Sequence, residues 1–217
     1  MIDLEVAGIE LTNSNDGEAL GVQARAGSLR ARILDHAEKQ LREYGYAKST
    51  MADIAASLGM SVGNIYRCFA SKQELNEALA ERMLVGIRSI AQEVADDRSL
   101  SAEDRLRRMA RVFYENNREC FTGDQRVFEI VVVAISECWR PVRIHQVEMD
   151  KMIAGVIAEG VAAEAFFVSD PLAAAQCVRQ VVANFADPIL MTRQAANLPP
   201  SLEQLLDFII AGLKSLG

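Results

Sequence analysis

The feature that most constrains this chain is the stretch from Thr50 to Phe69, in which two short helical spacings meet at a glycine. Ile54, Ala55 and Leu58 fall on one face of a helix, and Thr50 and Asp53 have capping-box spacing, with Asp standing where Glu or Gln is usual. Ala55 is small where a second helix would approach closely. Gly59 follows where a tight turn needs a positive φ, which glycine adopts without steric cost. Ser61 is placed to cap a second short helix, and Ile65 returns to pack against the first. The spacing therefore predicts two short helices joined by a turn, a helix-turn-helix.

In that arrangement Val62, Gly63, Asn64, Tyr66 and Arg67 stand at or near the exposed start of the second helix. A helix laid in the major groove presents these N-terminal side chains to base edges. Asn64 can pair bidentately with adenine. Tyr66, Lys72, the Thr50 and Ser61 hydroxyls and the amides at the helix start suit phosphates, which set register and affinity but do not choose sequence. A purely structural corner is the competing reading. Caps, apolar spacing, local charge and the aromatic Phe69 act together against it.

The net charge of -7 at first argues against a nucleic-acid partner. Its distribution reverses that argument. Residues 1–24 hold five carboxylates and no Lys or Arg, whereas residues 25–72 hold eight Lys and Arg against four carboxylates. The basic segment is the one that contains the motif, and the acidic remainder disfavours a sequence-neutral architectural DNA protein.

Around this segment the chain divides into three expected parts. Residues 1–27, acidic and rich in turn formers over Thr12 to Gly17, read as a flexible arm. Residues 28–76 read as the DNA-binding domain, opened by a helix with Ser28 as cap and Gly45 as stop. A helix from Lys72 links this head to residues 77–217, which read as a helical domain with further helices from Ser101, over 125–137, from Pro141, from Pro171 to about Ala196, and from Ser201 to near Leu216. Pro188 should kink or end its helix. With no period-2 strand, the expected fold class is all-α: a three-helix head joined to a helical bundle.

Other chemistry finds little support. Cys68, Cys120, Cys138 and Cys177 form no close ligand pair, and His36 and His145 are far apart in sequence, so no metal site or cofactor is expected. No Ser-His-Asp order or glycine-rich phosphate loop points to an enzyme. No apolar run spans a bilayer and the N-terminus lacks a secretory pattern, so a cytoplasmic protein with no membrane partner is expected.

The residues from Ile33 to Ala37, Tyr44-Gly45-Tyr46, Ser49 to Ala55, Gly59 to Tyr66 and Phe69 to Leu75 resemble the DNA-binding domain of the tetracycline-repressor (TetR) family in order and spacing. Cys68 and Met60 depart from its commonest pattern, where a bulkier residue and Val are frequent. The resemblance implies a homodimeric, ligand-responsive repressor that reads a palindromic double-stranded operator; an activator of the same fold stays open. It implies that the last two long helices form the dimer interface, with Ala174, Cys177, Val178, Val181, Phe185, Leu202, Leu205, Ile209 and Leu213 as the apolar candidates. It also implies an effector pocket among the central helices. Met83, Ile87, Phe113, Asn116, Phe121, Phe128, Trp139, Met149 and Asn184 are the candidates there, because Met and aromatic side chains with a few polar groups suit an apolar ligand. The pattern from Asp104 through Phe128-Glu129-Ile130 to Leu190 is similar to regulators that repress drug-efflux operons.

Overall fold

The computed structural model describes residues 19–46, 48–123, 125–185 and 200–215, with side chains apart from 19–28, 119–123, 125, 127 and 128. Among the described residues the chain is helical, with no strand. The helices are α1 (Ala19–Tyr44), α2 (Met51–Ser57), α3 (Val62–Cys68), α4 (Lys72–Asp96), α5 (Ala102–Gly123), α6 (Gln125–Ser136), α7 (Arg140–Ala162), α8 (Pro171–Phe185) and α9 (Leu202–Ser215).

The first helix starts at Ala19 rather than at Ser28, so residues 19–27, expected within the arm, are helical. Ala19, Leu20, Gln23, Ala24, Arg25 and Ala26 favour a helix here despite Gly21 and Gly27, and lead into the amphipathic run that follows. The rest of the expected arm, and the 186–199 segment with Pro188, lie outside the described residues. Gly45 ends α1 at φ +84°, and its N–H donates to the Leu41 carbonyl at 2.9 Å, the left-handed stop that glycine permits.

Two cores organise the molecule. In the head, Ile33 and Ala37 of α1, Ile54 and Ala55 of α2, Ile65 of α3, Phe69, and Leu75 and Leu79 of α4 form one buried cluster. The larger core joins Ala91 and Val94 of α4, Leu106 and Met109 of α5, Ile153 and Ile157 of α7, Ala175 of α8 and Ile210 and Leu213 of α9. Helix α7 packs against both α4 and α8 at its centre. After α7 the chain turns tightly under Phe166; a Cβ on Gly160 would lie only 2.1 Å from the Phe166 ring, so glycine is required for that close approach. Ion pairs along one edge clip α5 to α9: Arg111 to Glu203 at 2.8 Å, Arg107 to Asp207 at 2.8 Å and Lys214 to Glu103 at 2.7 Å.

A smaller cluster holds head to bundle. Leu41 of α1 and Ala80 of α4 pack with Ile130 and Ala134 of α6 and Trp139. Arg126 of α6 donates to the carbonyls of Arg42 and Glu43 at the end of α1, satisfying groups that a helix terminus leaves unpaired. Arg82 of α4 reaches back to Asp35 at 2.6 Å and also bonds Glu38. Burial alone raises the Glu38 carboxyl, but the bonds from Arg42 and Arg82 outweigh it and hold it below 4.5.

Candidate nucleic-acid interface and ligand cavity

Thr50 occupies the N-cap of α2, where its hydroxyl oxygen accepts from the Asp53 amide at 3.2 Å and its O–H donates to the Asp53 carboxylate at 2.5 Å. Gly59 adopts φ +63° in the turn. Ser61 has the N-cap backbone of α3, but its side chain makes no cap bond. The hydroxyl and the first amides of α3 are thus left for a ligand, a pattern suited to phosphate.

Helix α3 buries Ile65 completely and turns the opposite face outwards. Val62, Gly63, Tyr66 and Arg67 are exposed, with Tyr66 at half its full accessibility, while Asn64 is half-buried. The six residues from Ser61 to Arg67 other than Ile65 therefore share one end of the head. Lys72 is placed differently. Its ammonium donates to the Tyr46 carbonyl at 3.2 Å and lies 5.3 Å from the centre of the Tyr46 ring, tying the start of α4 to the loop before α2.

Arg30, which the sequence did not single out, braces the reading helix from behind. It donates to the Cys68 carbonyl at 2.5 Å at the end of α3 and lies 4.0 Å over the Phe69 ring. Its guanidinium also pairs with Glu74 at 3.5 Å. Glu74 in turn accepts from the Ala70 amide at 2.7 Å while Ser71 caps α4. These contacts fix the C-terminal end of α3.

Between α4, α5, α6, α7 and α8 lies a cavity of about 520 Å³, within the range of small-molecule sites. Met83, Ile87, Phe113, Asn116, Met149 and Asn184 are all on its wall. Trp139 is not: it is buried in the cluster that joins head and bundle, with Leu41, Ala80, Ile130 and Ala134, and against Tyr46 at a ring separation of 6.2 Å. The side chains of Phe121 and Phe128 lie outside the described residues.

The cavity also contains polar groups that sequence reasoning missed. His145 is buried on the wall, and its Nδ1 has no hydrogen-bond partner. Burial, followed by the charges of Arg88 and Arg179, lowers its pKa to about 4, so the ring is neutral near pH 7. Arg179, also on the wall, gives its Nε to Asp150 at 2.5 Å and its Nη2 to the same carboxylate at 3.3 Å. The available signal was that Arg179 is the one charged residue in the Pro171–Phe185 helix.

The expected dimer residues separate into different environments. Cys177 and Val181 are exposed on α8. Leu213 is instead buried in the core of its own chain, and Val178 lines the cavity. Ala174, Leu202 and Ile209 pack against buried clusters, Leu205 is half-buried, and Phe185 stacks near Tyr114 at 5.8 Å. Phe208, which was passed over, is 79% exposed, and Leu172 is also exposed. The α9 sequence carries a polar edge of Glu203, Asp207 and Lys214 beside a wide apolar arc, so its pattern alone did not distinguish the buried stripe of Leu206, Ile210 and Leu213 from the exposed Phe208.

Two family models match the chain. One, for the N-terminal domain of bacterial regulatory proteins of the tetR family, covers residues 33–79, and the other, for a tetracyclin repressor-like C-terminal domain, covers residues 102–204. The chain belongs to the TetR family. It is therefore a DNA-binding transcriptional regulator, and its helix-turn-helix is that of the family.

A curated relative, an uncharacterized HTH-type transcriptional regulator from Bacillus subtilis, is 30% identical over 78 residues, which span 36% of this chain and 40% of the relative. A TetR-family regulator from Pectobacterium atrosepticum superposes with a TM-score of 0.65 at 22% identity, over 89% of this chain and 94% of the other. The repressor of a multidrug efflux pump from Stenotrophomonas maltophilia gives 0.62 at 19% identity, over 84% and 89%. A Bacillus subtilis regulator solved with stearoyl-CoA gives 0.59 at 18%, over 85% and 97%. These likenesses concern the fold.

Proposed function

We propose that this regulator is a dimeric cytoplasmic repressor that binds a near-palindromic operator and leaves it when a small, mostly apolar effector fills the cavity. The observation that carries the reading is the shared wall between cavity and head. Ala80, Ile130 and Ala134 line the cavity and also belong to the cluster that packs Leu41 of α1 and Trp139. A molecule pressing on these residues presses on the support of the reading head. A ligand that favours a different spacing of two heads then lowers DNA affinity by population shift.

In this reading Asn64 reads a base. Thr50, Ser61, Tyr66 and the α3 amides hold phosphates, and Arg67 and Lys72 add positive charge. Val62 and Gly63 allow the helix start to approach the groove. Phe208, Leu172, Val181 and Cys177 supply the outer apolar face of α8 and α9 through which a second copy packs. A twofold pair would set its reading helices about 34–36 Å apart or a multiple of that distance. A narrower assignment to regulators of drug-efflux operons is supported by the residue pattern of the C-terminal part.

Binding-site selection with purified protein, repeated over a range of salt concentrations, tests the proposal. An enriched inverted repeat with a steep salt dependence is expected. Selection that returns no preferred palindrome refutes it.

A further inference from the structure

The cavity wall is mostly aliphatic and aromatic, yet the polar groups on it are not evenly distributed in kind. The only charged side chain on the wall, among the described residues, is Arg179. Asp150 takes its Nε and Nη2, which leaves Nη1 without a partner among the described residues. His145, buried on the same wall, has an unpartnered Nδ1. A buried ring nitrogen without a partner is costly and is normally satisfied by protein, water or ligand.

We propose that the cavity takes an acidic lipophile, a mostly apolar small molecule whose one anionic head group docks on His145 Nδ1 and Arg179 Nη1. This rests on the effector reading of the same cavity and adds the chemical class of the ligand. The His145 ring can present an N–H at Nδ1 by choice of tautomer, so both groups can donate to a carboxylate. Arg88 brings a second positive charge to bear on the ring.

Asp150 offsets much of the Arg179 charge, so the preference for an anion rests on the two donors left over, Nη1 and Nδ1, rather than on net charge. Asp150 is buried and already bonded by Arg179, and Glu81 is bonded by Arg88 at 2.5 Å and does not line the cavity. Asn116, Asn117, Gln146, Gln180 and Asn184 can hydrogen-bond a ligand of any charge. They therefore tune orientation without selecting sign. A cationic lipophile would find Arg179 and, among the described residues, no free carboxylate on the wall.

The test compares decanoate, 1-decanol and decylammonium by isothermal titration into the full-length protein. Their common flexible chain adapts to an irregular cavity while the head group changes from anion to neutral to cation. Decanoate should bind at least about ten-fold more tightly than decanol, as expected of a charge-assisted hydrogen bond, and decylammonium more weakly than both. His145→Leu should narrow the decanoate preference about five-fold while leaving decanol within about two-fold of its original affinity.

Decylammonium binding as tightly as decanoate would overturn the acidic class while leaving the cavity as an effector site. Binding of none of the three would overturn the class and the effector reading together. An unchanged decanoate preference in folded His145→Leu would overturn the docking role of His145 and with it the proposal. Should that variant lack a cooperative melt, the three-way comparison on the unaltered protein decides the matter.

Discussion

Acidification should destabilise this protein in a window set by one residue. The folded chain holds His145 at about 4, against 6.5 for a free histidine. An unfolded chain therefore takes up a proton that the folded chain refuses. Stability from this source is fully present well above pH 6.5 and is lost as the pH falls through 6.5 towards 4. By about pH 4.5 linkage gives a loss of about 2.5 kcal/mol, a substantial part of the stability of an ordinary domain. Paired carboxylates such as Glu38 and Glu103 sit below their ordinary value of 4.5, so their contribution falls away mainly at lower pH. The interval from about pH 6.5 to about pH 4.5 thus isolates the histidine.

Urea unfolding followed by fluorescence of the single tryptophan, Trp139, measures the effect at fixed protein concentration. The unaltered protein should lose about 2 kcal/mol across the interval, and His145→Leu should lose far less. Equal slopes for the two proteins would refute the reasoning.

Other perturbations probe the remaining parts. Asn64→Ala should reduce sequence preference by about 1–3 kcal/mol at one position of each half-site, whereas a uniform loss on every sequence in a binding-selection assay would contradict base reading. Gly160→Ala should cost about 1–3 kcal/mol and lower the melting temperature, because its Cβ meets the Phe166 ring at 2.1 Å. Phe208→Glu leaves a surface residue at the surface, so the fold should persist while light scattering shows a shift from dimer to monomer. Glu203→Gln removes an exposed pair with Arg111 and should change stability by no more than about 1 kcal/mol in urea unfolding.

What could be seen in the amino-acid sequence depended on whether the determinant was local. Gly59, Thr50 and the Ile54–Leu58 stripe report their own backbone, so the motif was legible down to the turn. The wall positions Met83, Ile87, Phe113, Asn116 and Met149 were legible as inward-facing apolar or amide residues on long helices. Trp139 shared that composition but packs with Leu41 and Tyr46 of the head, a fact of tertiary packing. Lys72 looked like a free cation until the fold brought the Tyr46 carbonyl to it. His145 and Arg179 are far apart in sequence, and their meeting on one wall depends on α7 packing against α8. In α9 the apolar arc is wider than the stripe that is buried, so only the packed structure selects which of its residues reaches α5 and α8.

The shared wall of α6 has a consequence for how such a regulator can diversify. Ile130 and Ala134 cannot be exchanged to suit a new molecule without disturbing the support of α1. Phe113 and Asn116 on α5, and Asn184 on α8, line the same space without belonging to that cluster. Drift in recognition is thereby channelled to one side of the cavity, while the other side is held to its present shape by the need to keep the reading head in place.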